Sequence, residues 1–135
     1  MYLCDGGRVV LADFGIACRL DNAAPATGPF RGSPPYLSPE LLDGGRAGPT
    51  SDLYSLGATL FTAVEGRPPF AGDSLFATLA AMAHDAPAPL LRAGPLCLVI
   101  EGLLAKDPGR RMKAGQARAA LQAIQCEHPL MGALL

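Results

Sequence analysis

Histidine is scarce in this sequence and cysteine is scattered, and each scarcity removes a class of function. His84 and His128 stand alone, each far from any cysteine, so no zinc site of ordinary ligand spacing is expected. Cys4, Cys18, Cys97 and Cys126 form no C-x-x-C pair. With no signal-peptide pattern after Met1, the expectation is reduced thiols in a cytoplasmic protein. No apolar run approaches the roughly 18–20 residues that a membrane-spanning helix requires, so no membrane segment is expected. Excess charge is missing too. Eleven basic residues against twelve acidic ones leave a net charge of −1, which gives no electrostatic reason to expect nucleic acid or an anionic membrane as a partner.

What is present suffices for one domain. Of 135 residues, 50% are hydrophobic, enough for a core and too many for disorder. The 16 glycines and 13 prolines cluster between periodic segments, and no internal repeat occurs. Residues 2–4 and 8–11 flank Asp5-Gly6-Gly7 and predict a β-hairpin, because glycine tolerates the positive φ of tight turns. Residues 16–50, rich in Pro, Gly, Ser and Asp, predict one long loop, and such loops in compact domains are commonly functional.

Helices follow. Ser51 or Asp52 is the expected cap of a helix in which Leu53, Leu56, Leu60 and Val64 recur every three to four positions. Tyr54, Ala58 and Phe61 make its other side apolar as well, which is the pattern of a buried helix. Gly66 and Pro68-Pro69 stop it. Asp73 or Ser74 is the expected cap of a second helix to about His84. A third carries Leu96, Val99, Ile100, Leu103 and Leu104 and closes before Pro108. A fourth spans roughly 114–125, with Ala117, Leu121 and Ile124 inward.

Asp13-Phe14-Gly15 directly follows the second hairpin strand. A carboxylate at a strand end can reach a metal ion held by phosphates, although a lone tripeptide is easily a coincidence. Three further segments stand in order behind it: Gly32-Ser33-Pro34-Pro35-Tyr36-Leu37-Ser38-Pro39-Glu40; Ser51-Asp52-Leu53-Tyr54-Ser55-Leu56-Gly57 with Gly66-Arg67-Pro68-Pro69-Phe70; and Leu104-Ala105-Lys106-Asp107-Pro108-Gly109-Arg110-Arg111. Together they resemble the serine/threonine protein kinases, and the PknB-like bacterial ones most. The resemblance covers residues 2 to about 125. It implies a mainly α chain: the large C-terminal lobe of a kinase with a short N-terminal β-hairpin, lacking the N-lobe and catalytic loop. Residues 1–127 would be a partial kinase domain and 128–135 a short tail.

Roles carry over by resemblance, position by position. Asp13 would bind the Mg²⁺ that bridges ATP phosphates, with Phe14 and Gly15 completing the motif and Phe14 packing to set the active or inactive state. Gly32, Ser33 and Tyr36 would belong to the end of the activation segment, where the Ser33 hydroxyl shapes the site for a substrate Ser/Thr. Pro39 and Gly57 would be structural. Glu40 would pair with Arg111, and Asp52 would accept backbone N–H bonds from the catalytic loop, with a plain helix cap as its alternative role. Thr27, five residues before Gly32, has the spacing of an autophosphorylation site; phosphate there would order the loop against arginines. The alternative is an ordinary loop threonine.

The sequence contains no Gly-rich loop, no V-A-I-K lysine, no partner glutamate and no H-R-D-x-x-x-x-N loop. The catalytic aspartate therefore lies outside it, and the chain alone is expected to be inactive. The apolar helix 52–65, deprived of its cover, is expected to expose apolar surface. Counting back from Asp13, the family's Mg²⁺-binding Asn falls one residue before Met1, and valine commonly follows that Asn. Because bacteria read GTG as a start, the expectation is a start site mis-placed inside a complete kinase gene, with a true truncation as the rival. Implied partners are ATP, Mg²⁺, a protein substrate bearing Ser/Thr and another kinase chain. The competing reading is a non-catalytic kinase-like module that binds through its activation segment and helix 74–84.

Overall fold

A computed structural model describes residues 1–12, 14 and 33–127. Strands β1 (Tyr2–Leu3) and β2 (Val9–Val10) pair antiparallel, Tyr2 opposite Val10 and Leu3 opposite Val9. A 3₁₀ turn, Asp5–Gly7, joins them, with Gly6 and Gly7 at φ 78° and 77°. Five helices follow: α1 (Pro39–Leu42), α2 (Pro49–Glu65), α3 (Leu75–His84), α4 (Cys97–Leu103) and α5 (Ala114–Glu127). The described chain is thus mainly helical. Among the described residues no helix is long and apolar enough to cross a membrane.

Three expectations need correction. The stretch 16–50 is not one loop within its described part. Pro34–Tyr36 forms a 3₁₀ turn, Pro39–Leu42 a single helical turn, and α2 already starts at Pro49. The physical reason is the same each time. A proline at a first helical position fixes φ near the helical value and lacks only an N–H that would have been unpaired anyway, so these prolines start turns instead of breaking them. Consequently Ser51 and Asp52 do not cap α2; Gly48 does, with no side-chain cap bond. Among the described residues the helix count is five with α1 included, and the third predicted helix is split, a 3₁₀ turn at Gly94–Leu96 leading into α4.

The helix α2 organises the rest because both its sides are apolar. Tyr54, Ala58 and Phe61 are fully buried with Phe70, Met82, Ala93, Ile100 and Leu104. Leu53, Leu56 and Leu60 pack instead on Val99, Leu103 and Ala117 from α4 and α5. Gly66 ends α2 in the left-handed conformation at φ 75°, its N–H bonded to the Thr62 carbonyl at 2.9 Å, as a C-terminal glycine does. Ser74 caps α3 by accepting the Ala77 N–H at 3.1 Å. One edge of α2 stays open: Leu53 and Leu56 line a groove of about 320 Å³ with Ala114, Ala117, Arg118 and Leu121.

α2 packs tightly on the end of α4 at Gly57, where an added methyl would lie 2.8 Å from Leu103 Cβ and 3.3 Å from Leu104 Cγ. Gly57→Ala is therefore expected to destabilise the chain by about 1–3 kcal/mol through overpacking, outweighing the ~1 kcal/mol that alanine gains over glycine in a helix. Urea unfolding measures it; an unchanged or raised midpoint would mean that α4 can move away freely.

Candidate functional site

The described residues that the resemblance singles out gather where α1, the start of α2 and the turn before α5 meet. The turn is built by Asp107: its Oδ1 accepts the Gly109 N–H at 2.8 Å, and its carbonyl accepts from the Arg110 and Arg111 amides at 3.1 and 3.0 Å. Met112 N–H then bonds the Gly102 carbonyl at 2.8 Å. This fixes the backbone of Arg111 and aims its side chain under α2. On the other side Pro39 opens α1 and places Glu40 in its first turn. The Glu40 carbonyl accepts from Gly45 at 2.7 Å, at a backbone approach that a Cβ on Gly45 would block.

Arg111 is 3% exposed, yet every one of its side-chain N–H groups is used. Nη1 donates to Glu40 Oε1 and to the Thr50 carbonyl, both at 2.7 Å. Nη2 donates to Glu40 Oε2 at 2.9 Å and to the Lys106 carbonyl at 3.1 Å. Nε donates to the Ala105 carbonyl at 2.9 Å. Five donors find five acceptors, which is the full capacity of a guanidinium, and the carboxylate is held in the bidentate geometry that only arginine offers. Ser51 Oγ donates to Glu40 Oε1 at 3.1 Å. The Tyr54 ring lies 5.0 Å from the guanidinium carbon, within cation–π reach.

Electrostatics follow from this packing. Burial alone would raise the Glu40 carboxyl, but the hydrogen bonds and charge of Arg111, with a backbone bond, outweigh it and hold the group below its ordinary value of 4.5. Burial pushes the Tyr54 phenol far up, with Arg111 pulling the other way. Ser38 Oγ, Tyr54 OH and Lys106 Nζ are buried without a hydrogen-bond partner among the described residues. The Lys106 ammonium lies 5.3 Å above the Phe70 ring, and burial lowers its pKa although Asp85 opposes this.

The predicted residues divide accordingly. Asp13, Gly15, Thr27 and Gly32 lie outside the described residues, as does Cys18. Phe14 is exposed, as are Ser33 and Asp52. Asp52 sits in the first turn of α2, where a carboxylate is favourable to the helix dipole. Tyr36 is half-buried, and its carbonyl accepts the Ser55 hydroxyl at 2.8 Å. Gly57 is buried against Leu103. The roles of Ser51 and Ser55 toward other elements were not anticipated. Their signal lies in the pattern: two serines one turn apart in the first half of a largely apolar helix.

Chemically the cluster is a strut. Its Ser51 hydroxyl, which meets the Glu40 carboxylate, is buried at 3% exposure, and among the described residues no three His, Cys, Asp or Glu side chains gather to hold a metal ion. It locks the segment ending at Glu40 onto the helical core.

The model of the protein kinase domain matches residues 2–122. Over 115 residues the chain is 43% identical to the serine/threonine-protein kinase PknA of Mycobacterium tuberculosis, covering 81% of this chain and 26% of that protein. It is 38% identical over 118 residues to PknK of the same organism, covering 82% and 10%. Against the serine/threonine-protein kinase RUNKEL of Arabidopsis thaliana it is 39% identical over 119 residues, covering 84% and 9%. The chain thus spans about a quarter or less of these relatives. It belongs to the protein kinase family. Within that family it is a segment of the bacterial serine/threonine type, a phosphotransferase class that uses ATP and Mg²⁺.

Two outcomes test the strut. Arg111→Ala strands a partly buried carboxylate, its side chain 18% exposed, and is expected to lose about 3 kcal/mol, the low end for a broken buried pair, read as a lowered urea midpoint; a wild-type midpoint would contradict the strut. The lowered Glu40 pKa also sets a pH window. Its stabilisation is complete above the ordinary value of 4.5 and is lost as pH falls from there through the lowered folded-state value. The melting temperature should drop across that window, and the part due to Glu40 should vanish in Glu40→Gln.

Proposed function

We propose that this chain is the C-terminal-lobe part of a serine/threonine kinase that moves the ATP γ-phosphate to Ser/Thr of a protein, residues 1–127 forming the partial domain and 128–135 a tail. The observation that carries the reading is the bidentate Glu40–Arg111 pair. It joins two of the motifs on which the resemblance rests, across 71 residues of sequence.

In this reading the Asp13 carboxylate would hold the Mg²⁺ of ATP, Phe14 and Gly15 completing the motif, and the ion would neutralise phosphate charge. That donor set is only a share of a nucleotide site. Mg²⁺ usually takes one or two carboxylates together with phosphate oxygens and waters, and the lysine, Gly-rich loop and catalytic-loop Asp and Asn are not in this sequence. The chain alone is therefore inactive, because phosphoryl transfer depends on positioning groups that it does not carry. Ser33 shapes the site for the substrate hydroxyl, with Tyr36 in the same activation segment, Asp52 accepts backbone N–H bonds from the catalytic loop, and Thr27 is the phosphorylation site. Location in the cytoplasm follows from the same reading.

The exposure of Leu75 (57%) and Phe76 (81%) at the start of α3 favours a second reading, a non-catalytic module that docks on another kinase chain or its substrate. One experiment separates the two. Residues 2–122 replace the matching segment of PknA, and the folded chimera is assayed with ATP, Mg²⁺ and a Ser/Thr protein, beside the 135-residue chain alone. The expected result is Mg²⁺-dependent transfer by the chimera, abolished by Asp13→Asn, and none by the isolated chain. A folded but inactive chimera would overturn the enzyme reading and favour the module.

A further inference from the structure

Beyond its first turn α2 carries three serine and threonine hydroxyls, Ser55, Thr59 and Thr62, and one of them behaves differently. Thr59 and Thr62 donate to the carbonyls four residues back, Ser55 and Ala58, both at 2.8 Å. This is the ordinary fate of a hydroxyl inside a helix. Ser55 has the same option in the Ser51 carbonyl, at 3.2 Å, but stands 2.8 Å from the carbonyl of Tyr36. A serine hydroxyl has one proton to give. Geometry assigns it to the shorter contact, across nineteen residues, to a different element.

Among the described residues, the receiving segment has little else to hold it. The turn at Pro34–Tyr36 is closed from within by Tyr36 N–H to the Ser33 carbonyl at 3.0 Å and Leu37 N–H to the Pro34 carbonyl at 3.1 Å. Pro34 and Pro35 have no N–H to offer. Among the described residues, the Ser55 bond is the one hydrogen bond that ties Ser33–Leu37 to another element. Packing presses the turn against α2 and α3, and Tyr36 and Leu37 lie partly buried against the core. Apolar packing is non-directional, so it holds the turn down without setting its register along α2. The Glu40–Arg111 strut begins only beyond Ser38.

We propose that Ser55 is a positioning residue whose hydroxyl latches the Ser33–Leu37 turn to α2 and so sets where the exposed Ser33 stands. This deepens the kinase reading and rests on it, since that reading puts Ser33 beside the substrate hydroxyl. The strut and the latch then divide the work: the strut fixes the end of the segment, and the latch fixes the turn that faces outward.

The test is amide hydrogen exchange, followed by NMR on the full 135-residue chain without nucleotide or substrate. In Ser55→Ala the amides of Tyr36 and Leu37 are expected to exchange about tenfold faster, the scale of one lost hydrogen bond. Those of Gly45 and Met112, which report on the strut, should not change. Ser55→Thr, which keeps the donor, should restore protection. Ser55→Cys keeps the shape with a weak donor; it should accelerate the same two amides and serves if the alanine variant does not fold. Unchanged exchange at Tyr36 and Leu37, or equal acceleration at all four amides, would overturn the latch. Because nothing is phosphorylated in this experiment, its failure is separate from failure of the chimera assay.

Discussion

A guanidinium can enter a protein interior only if its charge is matched and its five N–H groups are all bonded; otherwise the desolvation penalty is several kcal/mol. Arg111 meets that condition by drawing on four residues from three parts of the chain. Glu40 supplies the charge, and the carbonyls of Thr50, Ala105 and Lys106 supply the remaining acceptors. These acceptors constrain three parts of the chain: the first turn of α1, the first turn of α2, and the turn before Arg111 itself, which supplies both Ala105 and Lys106. Because a partly satisfied buried cation is worse than none, these elements come into place together.

The helix α2 is the surface on which this happens. Its Tyr54 ring lies beneath the guanidinium and, with Ala58 and Phe61, forms the floor of the larger core cluster. Its other leucines join α4 and α5, and Gly57 lets α4 come close. Two serines of the same helix face the segment that precedes it: Ser51 bonds Glu40 and Ser55 bonds Tyr36. In the proposed kinase reading, an apolar helix thus holds, through two hydroxyls and one ion pair, the stretch of chain that meets a protein substrate.

Much of the helical layout is legible in the sequence, and the misses have physical causes. The apolar repeat of residues 53–64 and the Gly66 stop locate α2, and Ser74 marks the start of α3. Pro34, Pro39 and Pro49 mislead because proline reads as a breaker although it is well suited to a first helical position. The 3.6-residue period cannot rank two apolar faces. The Tyr54–Phe61 side is the deeper one because α3, α4 and Phe70 close over it. At the site, contact between Glu40 and Arg111 can be anticipated only through the family resemblance, since a separation of 71 residues implies nothing by itself. The carbonyl partners are invisible in principle, because every residue carries one. The inward turn of Ser51 and Ser55 is hinted at only by their place on an apolar helix.

The central claim is that Glu40 and Arg111 act as one unit in holding the segment to the core. A double-mutant cycle tests it directly, with urea midpoints for wild type, Glu40→Ala, Arg111→Ala and the double variant. If the account holds, removing Glu40 after Arg111 is already gone changes little or even recovers stability, because the stranded charge goes with it. Losses that simply add would show that the two side chains stabilise the chain independently, and would contradict the account.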